Sequence, residues 1–167
     1  MEYIKKAADF LIEKYGTRNP FKIITESGIK LIYNYEMVKL KGFYAVINKK
    51  RYIVVNGNLD EYTKKIVAAH ELGHDVLHHT VLEDNTFLEV SVFNMTNRPE
   101  YEASLFAAEL LIPDEEILTA LEKEQSPKGC ASILSCDTKL LGIKLRSMLS
   151  RGYNINISEE IPGDFLG

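Results

Sequence analysis

The chain has 167 residues, a formal net charge of −4 and 46% hydrophobic residues, with four histidines and two cysteines. That length suits one domain with a core that needs no covalent staples. The acidic balance argues against a broad nucleic-acid footprint, two cysteines are too few for a disulfide scaffold, and no apolar run approaches the ~18 residues of a membrane helix.

Residues 1–157 read as a single domain with its core in 29–124, and 158–167 as a loosely ordered tail holding Pro162 and Gly163. The N-terminus carries no apolar signal core, so the expected location is the cytoplasm, where Cys130 and Cys136 would stay reduced.

In chain order, Ile4, Ala7, Ala8, Leu11 and Ile12 recur at helical spacing over 3–15, and Gly16 stops that helix. Asn19-Pro20 opens a short helix ending near Gly28. Residues 29–35 alternate as a strand. Residues 43–47 and 52–55 are β-rich runs flanking the polar turn 48–51, which predicts a hairpin with Lys49, Lys50 and Arg51 at a solvated tip. Asn58 is the expected cap of a helix over 59–79. Residues 80–98 are mixed, with a candidate strand at 87–93. Pro99 starts a helix to Ile112, and Pro113 starts another through Glu124. A loop over 125–129 and a last amphipathic helix over 138–151, stopped by Gly152, complete the chain. The expected fold is α+β, with helices packed on a small, mostly antiparallel sheet.

All four histidines fall within ten residues, at 70, 74, 78 and 79. His70 and His74 are one helical turn apart on one face, within the apolar arc of Leu59, Ile66, Val67 and Leu77. Two imidazoles so placed can hold one zinc ion, with Glu71 beside them as general base. A pair of ordinary core histidines is the plainer alternative, and the intervening Glu71 weighs against it. Gly73 clears the same face for close approach of another backbone. His78 lies about 12 Å along the axis from position 70, too far to share one ion with His70. With His79 it reads as an exposed end-of-helix residue favoured by the helix dipole, the alternative for His78 being support of a metal-bound group from behind.

A catalytic zinc needs a third protein ligand, and no histidine remains outside the cluster. The helix over 101–112 is the best source. Glu102 and Glu109 lie about 20° apart on its wheel, in a gap between two apolar arcs, while Glu100 falls on the far side of the wide arc. Glu102 is the expected ligand and Glu109 an acceptor behind a bound histidine. The alternative is that both line a solvated seam between packed elements.

These residues resemble the ImmA/IrrE family of metallopeptidases. Ile-Val-Ala-Ala-His-Glu-Leu-Gly-His, followed about 28 residues later by Glu-Ala-Ser-Leu-Phe-Ala-Ala-Glu-Leu-Leu-Ile-Pro, carries the resemblance over roughly 40–115. It implies a zincin-like α+β fold, zinc on His70, His74 and Glu102, catalysis by Glu71, and a strand ending at Asn56. Ser104 stands where the family has Asn, which puts a supporting hydrogen bond in doubt, and Ile112 replaces Met. The implied activity is zinc-dependent endopeptidase cleavage of a protein substrate, a helix-turn-helix repressor or similar regulator, with no direct nucleic-acid or membrane partner. The competing reading is a metal-containing module that antagonises a repressor by binding alone. Glu71 favours the enzyme, because binding does not need that acid.

Overall fold

The computed structural model describes residues 2–78, the backbone of 87–90, and 98–155. The expected tail at 158–167, His79 and part of the candidate strand at 87–93 lie outside the described residues.

The helices α1 (Glu2–Tyr15) and α2 (Pro20–Glu26) open the chain, followed by strands β1 (Lys30–Asn34), β2 (Gly42–Ile47) and β3 (Lys50–Asn56). Helix α3 (Glu61–His78) leads to β4 (Phe87–Val90), then α4 (Arg98–Leu111), α5 (Asp114–Lys123), α6 (Pro127–Ile133) and α7 (Thr138–Ser150). The sheet has the order β1-β3-β2-β4. β1 runs parallel to β3, whereas β2 is antiparallel to both β3 and β4. The fold is therefore α+β with a mostly antiparallel sheet. Among the described residues no helix is long and apolar enough to cross a membrane.

Three local expectations change. The β2–β3 turn is only Asn48-Lys49, both at positive φ (50° and 61°), the twist that a two-residue hairpin demands. Lys50 and Arg51 therefore belong to β3, and Arg51 donates to Asp75 of α3 at 2.8 Å and to the Ser27 carbonyl at 2.7 Å. Lys49 and Lys50 stay exposed at the hairpin end, and only Arg51 is withdrawn from the expected solvated tip. Second, Asp60 rather than Asn58 caps α3, accepting from the Thr63 backbone N–H at 2.9 Å. Asn58 is used elsewhere, donating to the Tyr35 carbonyl. Third, the expected loop over 125–129 contains the start of α6, with Ser126 as its cap and Pro127 at its first turn.

The core lies where α3 passes between the sheet and α4. Every residue of α3 from Ile66 to Asp75 is buried, whatever direction it points. Polar groups in that stretch have no water to satisfy them and need partners from the protein or a ligand. Asn56, at the end of β3, is also buried and donates to the Met37 and Leu40 carbonyls at 3.0 Å each, tying the 35–41 loop to the strand.

Candidate metal centre and active site

Helix periodicity brings His70 and His74 together, and their Nε2 atoms lie 3.1 Å apart. The third group is Glu100, from the first turn of α4. Its Oε2 is 3.3 Å from His70 Nε2, and its Oε1 is 3.5 Å from His74 Nε2. Among the described residues these three form the group whose donor atoms converge tightly enough to hold one metal ion.

The donor set fits a metal in three respects. Ligands about 2.0–2.2 Å from one tetrahedral ion stand about 3.3–3.5 Å apart, close to the three separations found. Two imidazoles and a carboxylate are the borderline and hard donors that divalent transition metals take. Both rings can also turn a lone pair inward, because each Nδ1 has an outward partner: Ser104 Oγ at 3.2 Å for His70, and His78 Nδ1 at 3.1 Å for His74. Burial, with His70 and His78 beside it, holds His74 down at about 2, so its ring is neutral and free to coordinate.

Glu71 is fully buried next to this group. Neither carboxylate oxygen completes a hydrogen bond. Burial, reinforced by the Glu100 carboxylate, raises its pKa well above the usual range, and the Tyr44 backbone N–H opposes this only in part. A Cβ on Gly42 of β2 would lie 3.4 Å from Glu71 Oε1 and 2.5 Å from Val67 Cγ1. Glycine at 42 thus lets the strand come down onto the helix beside the acid.

Residues 24–132 match the family described as IrrE N-terminal-like domain, peptidase M78. The chain belongs to the peptidase M78 family. It is 36% identical over 111 residues to uncharacterized immunity region protein 2 of Bacillus phage phi105, covering 66% of this chain and 69% of that protein. It is 31% identical over 121 residues to metallopeptidase ImmA of Bacillus subtilis (strain 168), covering 71% and 68% respectively.

Of the residues singled out in this M78 chain from sequence, His70, Glu71 and His74 come together as expected. Glu102 does not join them. Its Oε2 lies 3.1 Å from His78 Nε2, and its Oε1 accepts from Arg98 Nε at 2.6 Å. Burial would raise its pKa, but hydrogen bonds from Arg98, Tyr3 and His78 bring it to about 2. The reason is geometric. Ala103 is the residue of α4 that meets Gly73, so the face toward the histidines carries positions 100, 103, 104 and 107, and position 102 points about 160° away from 100 around the axis. The gap between apolar arcs marks nothing here, since α4 is buried on all sides from Ala103 to Leu110. Glu100 could have been found by pairing it with Ser104, one turn on. The hydrogen bond doubted at Ser104 is present, to His70.

Glu109 does not back a histidine either. It is held by Lys144 Nζ and by Ser147 Oγ at 2.5 Å, at the other end of α4. His78 is not a solvated end-of-helix residue, since its side chain is only 13% exposed between His74 and Glu102.

Proposed function

We propose that this chain is a zinc-dependent endopeptidase in which His70, His74 and Glu100 hold the metal and Glu71 is the general base. The observation that carries the reading is the convergence of His70 Nε2, His74 Nε2 and the Glu100 carboxylate within 3.1–3.5 Å of one another, with Glu71 buried alongside.

A zinc ion bound by these side chains would supply Lewis acidity toward a peptide carbonyl and make water easier to deprotonate. The protein's own contribution is proton handling and dryness. Glu71 takes the proton from the attacking water and delivers it to the departing amine. Its raised pKa suits both tasks, because a more basic carboxylate takes the water's proton more readily and keeps it until the amine can accept it. The apolar packing around α3 excludes bulk water, which strengthens every charge interaction at the site.

The ImmA/IrrE resemblance and the phage immunity-region relative support a regulatory protein, such as a helix-turn-helix repressor, as the substrate. The purified, zinc-loaded chain incubated with the repressor encoded beside its gene should cleave it. Glu71→Gln should retain zinc and lose about 10²-fold or more of the rate. Full cleavage by Glu71→Gln would remove the general-base role. Tight repressor binding without cleavage by the wild-type chain would favour a binding-only antagonist.

A further inference from the structure

We infer that His78 and Glu102 form a positioning relay that fixes the ring of His74 in the tautomer offering Nε2 to the metal, anchored at its far end by Tyr3 of α1. The inference deepens the reading above and rests on it.

The contacts run in one line. His74 Nδ1 meets His78 Nδ1 at 3.1 Å, and His78 Nε2 meets Glu102 Oε2 at 3.1 Å. Arg98 Nε donates to Glu102 Oε1 at 2.6 Å, and the Tyr3 hydroxyl lies beside the same carboxylate. With both rings neutral, protons have one arrangement along this line. A carboxylate only accepts, so His78 Nε2 carries a proton and its Nδ1 is an acceptor. That Nδ1 accepts from His74 Nδ1–H, which leaves His74 Nε2 as a lone pair facing His70 and Glu100. The opposite arrangement would put a proton on His74 Nε2 and block coordination.

The carboxylate therefore sets the tautomer of a ring two residues away in the chain of contacts, without touching it. Side chains of His78 and Glu102 are each only 13% exposed, so water competes little for these bonds. The line ends on a helix that precedes residue 24, where the family match begins. Position 102, expected from sequence to bind the metal, instead acts on it through two rings.

The test measures zinc dissociation constants by competition with a chromophoric chelator, and histidine tautomers by long-range ¹H–¹⁵N correlation on the zinc-loaded chain. His78→Phe should weaken zinc binding about 10- to 100-fold. His78→Gln should recover most of that loss, since its amide oxygen accepts from His74 and its amide nitrogen donates to Glu102. Glu102→Gln should weaken binding like His78→Phe, and Tyr3→Phe by a smaller factor. Glu100→Gln should cost more than any of them. The wild-type spectrum should show His74 protonated on Nδ1.

Wild-type affinity in both His78→Phe and Glu102→Gln would overturn the relay. So would a Glu102→Gln loss as large as that of Glu100→Gln with none in His78→Phe, which would make Glu102 a ligand. If His78→Phe fails to fold, Glu102→Gln and the His74 tautomer decide alone. A wild-type chain that takes up no zinc would remove the metal reading itself, a different failure.

Discussion

The converging imidazoles of His70 and His74 each lean on one partner, and the two partners differ in kind. His74 leans on a charged relay, His70 on the neutral hydroxyl of Ser104, which is 1% exposed. Ser104→Ala would leave His70 Nδ1–H buried without an acceptor, a cost of about 1–3 kcal/mol. That cost falls on the tautomer needed for coordination, so it should appear in the metal-bound state. The expected result is a zinc affinity lower by about 10-fold or more, with the melting temperature of the metal-free chain little changed. A lowered metal-free melting temperature with unchanged affinity would reduce Ser104 to a packing residue. His70, Glu71 and His74 were readable at this scale because their spacing lies within one helix, where 3.6 residues per turn decides who faces whom. The partners were not. Glu100, Ser104 and Glu102 depend on which face of α4 meets α3, and that is settled by a contact 30 residues distant in sequence.

That contact is Gly73 against Ala103. A Cβ on Gly73 would sit 3.1 Å from the Cα and carbonyl oxygen of Ala103 and from Phe106 Cδ1. Two of these are backbone atoms, so the helices themselves would have to part by a few tenths of an ångström. Gly73→Ala gains about 1 kcal/mol of helix propensity, and overpacking costs about 1–3 kcal/mol. The net loss of metal-free stability should therefore be about 0–2 kcal/mol, a fall in melting temperature of no more than about 8 °C. Metal binding should suffer more, because Glu100 and Ser104 ride on α4 and their ligand distances open together. Unchanged zinc affinity in Gly73→Ala would show that the helix spacing is not what sets the site. The elements themselves were largely legible. Periodicity marked α1, α3, α4, α5 and α7, and β-rich runs marked β2 and β3. α6 was missed because Pro127 and Gly129 read as a loop when no apolar repeat is long enough to outvote them.

Across the whole molecule, α4 is fixed from both ends. Its start is held where Glu100 meets His70 and His74, and its end by a buried ionic cluster of Glu109, Asp114, Lys144 and Arg151 that joins α4 to α5 and α7. Lys144 is 1% exposed and contacts both Glu109 and Asp114, and Arg151 donates to Asp114 at 2.6 Å. Sequence placed Glu109 near the metal because an acid among apolar residues needs a cation; the cation is a lysine on the last helix, hidden within an amphipathic pattern. Lys144→Met would leave the buried Glu109 carboxylate with only Ser147 and the more distant Arg151, at 3.6 Å, a loss of up to about 3–5 kcal/mol from a total of about 5–15 kcal/mol. Adding Glu109→Leu removes the stranded charge, so the double variant should recover most of that stability in urea unfolding. The same cluster sets an acid limit. Burial alone would raise the Asp114 pKa, but Arg151 and Lys144 reverse this and hold it well below the usual carboxylate range. A depressed folded-state pKa stabilises above the unfolded value of about 4, and that stability is lost as pH falls toward the folded value. The contribution of Asp114 to the melting temperature should therefore hold from about pH 7 to pH 5 and be lost below about pH 4, read as the difference between wild type and Asp114→Asn. Asp114→Asn, which cannot ionise, should start lower at pH 7 and fall less steeply. Parallel curves for the two proteins below pH 4 would mean that other carboxylates carry the acid transition.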